Sequence, residues 1–138
     1  MASYYFGKTF KLTSNYGMRK HPISGKTKMH NGADFAAPKG TPILAIGPGK
    51  VILNQWVSGY GYMIAIRHPD GTVSRYAHMA SKSPLKVGAT VKAGQQIGRV
   101  GATGNATGPH LHLEIMKGSK FLDPVKFLRG LTGGSTPR

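Results

Sequence analysis

The 138-residue chain contains no cysteine. That excludes disulfide staples, thiolate metal sites and cysteine nucleophiles, and leaves the redox compartment open. Acids are almost as scarce. Asp34, Asp70, Glu114 and Asp123 are all of them, against 19 lysines and arginines, giving a formal charge of +15. A chain so poor in carboxylates associates with polyanions: nucleic acid, acidic membrane or the anionic polymers of bacterial walls. The lysines are scattered, with no basic helix and no recognised nucleic-acid motif, so nucleic acid is not an expected partner. No apolar run approaches the roughly 20 residues of a membrane-crossing helix, and no membrane span is expected. No charged segment followed by an apolar stretch opens the chain, so no signal peptide is expected. A protein of this kind acting outside a cell is then exported by other means, or is a module of a longer protein. A sustained 3.6-residue periodicity is also missing, which argues against a helical fold.

What is present is glycine, 20 residues of it, within a composition that is 39% hydrophobic. This reads as a folded, turn-rich chain with a core of its own. A single domain is expected over residues 1–130, followed by a flexible tail over 131–138. Residues 1–13 carry Tyr4, Tyr5, Phe6, Phe10 and Leu12 and suggest a first strand. Residues 14–22 are polar, and Pro22 disfavours helix at His21, so an ordered loop is expected there, continuing as a basic loop over 23–29. Gly32 and Pro38 make His30–Ala36 a loop running into a strand. Further strands are expected at 43–46, 50–57, 62–68, 72–78, near Val91, at 96–100 and from His110. Pro69-Asp70-Gly71 is a turn that closes a hairpin. Asp123-Pro124 caps a short helix. Residues 40–51 and 88–100 echo each other, with glycines punctuating a short apolar unit twice. The expected fold is all-β: antiparallel sheets folded into a sandwich or roll, with long loops around a narrow groove.

The chemistry gathers in two places. In Gly108-Pro109-His110-Leu111-His112-Leu113-Glu114, a strand sends His110, His112 and Glu114 to one face and the leucines to the other. Two imidazoles on one face each need a hydrogen-bond partner or a metal. Far upstream stands His30-Asn31-Gly32-Ala33-Asp34. A catalytic zinc takes three protein ligands from histidine nitrogen and carboxylate oxygen, and keeps a fourth position for water. His30, Asp34 and one of His110 or His112 supply that trio; spacing does not decide between the last two. No His-Glu-x-x-His is present to furnish a glutamate base, and histidine is the natural substitute near neutral pH.

At these residues the chain resembles the lysostaphin-type, or LytM-like, zinc metallopeptidases that cut peptides of bacterial peptidoglycan. His-x-Gly-x-Asp is met by His30, Gly32 and Asp34, and His-x-His by His110 and His112. The segments 16–22, 40–51, 76–78 and 94–98 also match, in order, across residues 14–128. The resemblance implies one Zn2+ held by His30, Asp34 and His112. It implies His78 and His110 as the pair that moves protons while zinc-bound water attacks the scissile carbonyl. It implies stem peptides and cross-bridges as substrate and action at the cell wall, by a monomer. The segment Tyr16-Gly17-Met18-Arg19-Lys20-His21-Pro22 looks more like the branch acting next to D-alanine than the glycyl-glycine branch. Alternatives are a glycyl-glycine endopeptidase of the same family, or a basic non-catalytic wall-binding or nucleic-acid-binding β module.

Several residues carry lesser expectations. Arg19, His21, Asn105 and Thr107 are candidates for contacting substrate, the last two from a glycine-rich loop. Glu114 either orients a ligand or is a solvated strand carboxylate. Tyr60, Tyr62 and Trp56 are expected in packing rather than at a groove. His68, beside the Pro-Asp-Gly turn, is expected at the surface.

Overall fold

The computed structural model describes residues 10–20 and 27–131. These residues form strands β1 (Lys11–Ser14), β2 (Gly17–Lys20), β3 (Thr27–His30), β4 (Ala33–Ala36), β5 (Pro42–Leu44) and β6 (Gly49–Val57). There follow β7 (Gly61–Arg67), β8 (Thr72–Met79), β9 (Thr90–Val91), β10 (Gln96–Arg99), β11 (His110–Lys117) and β12 (Lys120–Leu122), then helix α1 (Pro124–Leu131). The largest sheet runs β1-β4-β11-β8-β7-β6-β9, with β12 pairing β11, and every pairing in it is antiparallel. The expected all-β class is what forms.

β11 lies inside this sheet, between β4 and β8, and its alternation decides which face is which. Leu111, Leu113 and Ile115 are fully buried, joining Phe35, Ile64, Ile66 and Tyr76 in one core. His110, His112 and Glu114 necessarily face the other side, because successive side chains alternate. In register, His112 stands opposite Asp34 and Glu114 opposite Arg75. The same two-residue period that fills the core therefore assembles the polar face.

The sequence echo has a structural counterpart. The first copy holds β5 and the start of β6; the second holds β9 and β10. β5 pairs β10 and β6 pairs β9, so each copy's first strand lies against the other copy's second. The connecting bonds are reciprocal: Ala45 N–H donates to the Gln95 carbonyl, and Gly94 N–H to the Ala45 carbonyl, each at 2.9 Å.

Three expectations are corrected. Residues 17–20 and 27–30 are not loop but the antiparallel pair β2–β3, in register from Gly17 opposite His30 to Lys20 opposite Thr27. Gly17, at φ 123°, adopts a backbone that polar composition and a nearby proline do not reveal. The helix runs through Gly130 and Leu131, into the expected tail, whose remaining residues lie outside the described ones, as does His21. His68 is buried, not exposed. Its Nδ1–H donates to the Pro48 carbonyl at 2.8 Å, and its Nε2 lies 2.8 Å from the Ser74 hydroxyl. Ser74 in turn meets the Tyr76 hydroxyl at 2.8 Å, which accepts from Ile46 N–H at 3.1 Å. The bonds form one continuous chain, from Ile46 through Tyr76 and Ser74 to His68, and it satisfies four buried groups in an apolar core. Burial, first of all, pushes the Tyr76 hydroxyl up to about 12, so it stays protonated. Tyr76→Phe leaves Ile46 N–H and the Ser74 hydroxyl short of a partner each. The expected loss is about 1–3 kcal/mol, read as a lower urea midpoint at unchanged m-value.

Candidate metal and catalytic centre

Four histidines and one carboxylate meet on the polar face at the end of the large sheet. His30 Nε2 lies 3.4 Å from Asp34 Oδ2, His112 Nδ1 2.7 Å from Asp34 Oδ1, and His110 Nε2 3.7 Å from Asp34 Oδ1. His78 packs its ring 4.7 Å from that of His110 and 6.0 Å from that of His112. One ligand atom from each of His30, Asp34 and His112 falls within 4.8 Å of the other two.

Local backbone makes this convergence possible. Gly32 separates β3 from β4 where the chain passes β11. A Cβ there would collide with the Leu113 carbonyl and come within 2.9 Å of Glu114 Cγ and His112 Cε1. Glycine is thus required by close approach, which is why His30 and Asp34 reach the same point. At the other side, the bulge between Tyr62 and Ile64 in the β7–β8 register leaves His78 at φ 59°, the only left-handed non-glycine among the described residues. Such a residue stores strain and persists where its surroundings over-determine it. Here His78 N–H donates to the Tyr60 carbonyl at 2.8 Å, Gly101 N–H donates to the His78 carbonyl at 3.1 Å, and His78 Nδ1–H donates to the Thr103 carbonyl at 2.6 Å. Thr103 is the hub of that wall. Its hydroxyl donates to the Met79 carbonyl at 2.6 Å and accepts from Tyr62 N–H at 3.2 Å.

The hydrogen-bond partners fix which nitrogen of each ring faces inward. His30, His78 and His110 each donate Nδ1–H to a backbone carbonyl, of Asn15, Thr103 and Gly108 at 2.7, 2.6 and 2.9 Å. Their Nε2 atoms are the ones that face inward. His112 is reversed: its Nε2 lies 2.9 Å from Glu114 Oε2, and its Nδ1 is the atom that points to Asp34. Burial would raise the Asp34 carboxyl, but hydrogen bonds from His112 and His30 win and hold it far below the carboxylate range. Burial would lower His112, yet its bonds to Asp34 and Glu114 push it up to about 9. Burial lowers His78, helped by the neighbouring His110 and His112, which keeps it neutral and able to accept a proton. Glu114 is likewise held below its usual range: burial opposes, and the bonds and charges of His112 and Arg75 prevail.

This centre lines one side of a cavity of about 410 Å³, together with Met29, Asn31, Gly59, Tyr60, Asn105 and Thr107. A partly buried anion ringed by imidazole nitrogens, with donors on the closed side and an open groove on the other, is a cation site in its chemistry. Two nitrogens and a carboxylate oxygen fit one zinc ion, with room for a further ligand from the groove.

The family model described as "Peptidase family M23" matches residues 28–124. The chain belongs to peptidase family M23. It is 41% identical over 117 residues to the peptidoglycan DD-endopeptidase ShyB of Vibrio cholerae, covering 84% of this chain and 27% of that protein. The catalytic domain of the antimicrobial peptidase lysostaphin from Staphylococcus simulans superposes with a TM-score of 0.78 at 40% identity, over 87% of this chain and 92% of that one. A zinc-containing peptidase from Vibrio cholerae superposes with a TM-score of 0.80 at 40% identity, over 87% of this chain and 37% of that one. The chain thus spans about a quarter of the length of the curated relatives it matches.

Within the M23 site, the sequence candidates His30, Asp34, His78, His110 and His112 come together, and Asn105 and Thr107 stand on the groove. The Arg19 side chain and His21 lie outside what is described. Glu114 is not a solvated carboxylate: it is 1% exposed and bonded to His112. Tyr60 lines the groove instead of packing away from it, whereas Trp56 and Tyr62 pack edge to face on each other. Thr103, Asn15 and Arg75 went unrecognised, because their roles come through partners 15 to 39 positions away.

Proposed function

We propose that this chain is a zinc-dependent endopeptidase that hydrolyses peptide cross-links of bacterial peptidoglycan, at a bond next to D-alanine. The observation that carries the reading is the inward trio of His30 Nε2, Asp34 and His112 Nδ1 beside two further histidines facing the same groove. When bound, zinc acidifies water and polarises a carbonyl. His78 Nε2 stands with its lone pair towards the groove and takes the proton of the attacking water. His110, its Nδ1–H tied to Gly108, shares that duty from its own Nε2, and the proton taken up by the pair is the one returned to the leaving amine. The fixed Nδ1–H bonds keep both rings from turning during the transfer. Asn105 and Thr107, with Arg19 and His21, are the proposed contacts for the peptide.

The D-alanine assignment draws on the likeness to a protein named a peptidoglycan DD-endopeptidase; a glycyl-glycine bond, the alternative that the family resemblance leaves, is the second reading. Mass spectrometry of fragments from defined cross-linked muropeptides, with and without chelator, decides. Cleavage at D-alanine that stops with chelator and returns with zinc is expected. Cleavage of glycine bridges alone moves the reading to the second bond, and chelator-resistant or absent cleavage of both ends it. The charge of +15 also supports action at the wall as a monomer docking on anionic polymers. Because exposed charges are screened within a Debye length of ~10 Å at 0.1 M salt, retention on purified walls should fall steeply between low and high salt, in a pull-down at constant zinc.

A further inference from the structure

Three of the site histidines are oriented by backbone carbonyls, which no substitution at the partner residue removes. His112 is the exception. Its outer nitrogen is held by a side chain, and that side chain must itself be held. Glu114 Oε2 accepts from Tyr60 O–H at 3.0 Å and faces His112 Nε2 at 2.9 Å. Among the described residues Glu114 Oε1 has no aligned hydrogen-bond donor, and the cation that faces it is Arg75, with Nη1 at 3.2 Å. Arg75 is the residue opposite Glu114 in the β8–β11 register, so the contact is built into strand pairing. Its guanidinium is held on the other sides by the Tyr60 ring, 5.3 Å from the centroid, and by Met116 Sδ at 3.2 Å.

We propose that Arg75 is a positioning residue for the metal centre: it fixes the Glu114 carboxylate so that His112 keeps its hydrogen on Nε2 and offers Nδ1 to the ion. This rests on the reading above that His112 ligates through Nδ1. With Arg75 in place, both carboxylate oxygens are engaged and the group does not rotate. Without it, one oxygen is left buried against nothing, the carboxylate turns to find a donor, and His112 Nε2 loses its acceptor. The ring hydrogen then moves to Nδ1, where Asp34 Oδ1 already waits at 2.7 Å. In that tautomer the atom meant for the metal carries a hydrogen. Arg75 suits the task better than lysine would, because a planar fork stacked on a ring is pre-organised.

The test uses the full chain with Arg75→Met, Arg75→Lys, Glu114→Gln and the Arg75→Met/Glu114→Gln double variant. Two quantities are read: zinc affinity by competition with a chromogenic chelator, and the ring tautomer by long-range nitrogen-15 correlation on metal-free protein at about pH 10, where imidazoles are neutral. Wild type should show His112 with hydrogen on Nε2. Arg75→Met should shift it towards Nδ1 and weaken zinc binding by about 10–100-fold, the usual effect of losing an outer partner of a metal-bound histidine. Arg75→Lys should fall between. His30, anchored on a carbonyl, should keep its tautomer throughout, which separates positioning from general loosening of the fold. The neutral amide introduced by Glu114→Gln accepts from His112 without needing a cation, so adding Arg75→Met to Glu114→Gln should change affinity little. If Arg75→Met keeps both the His112 tautomer and the wild-type affinity, or if Arg75→Met weakens binding equally in the Glu114→Gln background, the assignment is wrong. A wild type that binds no zinc would remove the ligand reading, while the tautomer of metal-free protein still decides the role of Arg75.

Discussion

Asp34→Asn should abolish both zinc retention and hydrolysis, with activity down by at least ~10³-fold, since several kcal/mol of metal-supplied stabilisation vanish at about 1.4 kcal/mol per tenfold. The reason is visible in the site. Asp34 is the anion that His112, His30 and His110 all approach, with contacts at 2.7, 3.4 and 3.7 Å. An amide of the same shape keeps the packing and loses the charge. The metal-free proteins offer a second readout. His112 is raised from 6.5 to about 9 on folding, so its contribution to stability is fully present below pH 6.5 and is lost as pH rises through about 9. Asp34 is lowered from 3.8, so its contribution is present above that pH and is lost as pH falls below it. These are two views of one ion pair and count once, at up to about 3 kcal/mol. Metal-free wild type should therefore be steadiest between roughly pH 4 and 6.5 and weaken towards pH 9. Asp34→Asn should flatten that decline without erasing it, because Glu114 still bonds His112 Nε2. Zinc has to displace the His112 proton, so its affinity should climb with pH over the same interval. Metal analysis, muropeptide turnover and urea midpoints against pH check all of this. Zinc retained in Asp34→Asn at wild-type stoichiometry would refute the ligand assignment.

Replacing His78 should split activity from stability. His78→Ala and His78→Gly should each keep zinc while losing about 10²–10⁴-fold in turnover, the usual worth of a positioned general base. Their stabilities should differ. Both lose the 2.6 Å bond to the Thr103 carbonyl, but alanine inherits the left-handed backbone at φ 59° and glycine tolerates it. The strain relieved, about 1–2 kcal/mol, exceeds the added freedom glycine gives the unfolded chain, about 0.4–1 kcal/mol. His78→Gly should thus be the more stable variant by about 0.5–1 kcal/mol in urea unfolding. Near-normal turnover in either variant would remove His78 from the proton pathway. Equal stabilities would mean that the bulge relaxes when the imidazole is gone.

The strand framework was legible because a two-residue period writes itself into composition: Leu111, Leu113 and Ile115 against His110, His112 and Glu114, with Pro69-Asp70-Gly71 marking the β7–β8 turn. The five central site residues were legible because their chemistry is conspicuous in a chain with so few acids. What stayed hidden depended on distance along the chain. The β2–β3 pairing is specified by a glycine backbone angle and by partners across the pair, not by a local apolar pattern. His68 looks like a turn residue until Ser74, Tyr76 and Pro48 enclose it. Arg75 and Thr103 read as ordinary surface and loop residues, since what distinguishes them is the Glu114 carboxylate and the His78 ring.

The contact between Asp34 and His112 joins positions 78 apart. In a polypeptide without sulfur bridges, an ion gripping both ends of that span does the work of a crosslink. Closing a loop of such length restricts the denatured chain by about 4.5 kcal/mol on the entropic model for covalent staples. Loss of the ion in a metal-poor medium would then release a clasp as well as silence a reaction, leaving the emptied protein open to proteases that the loaded one resists.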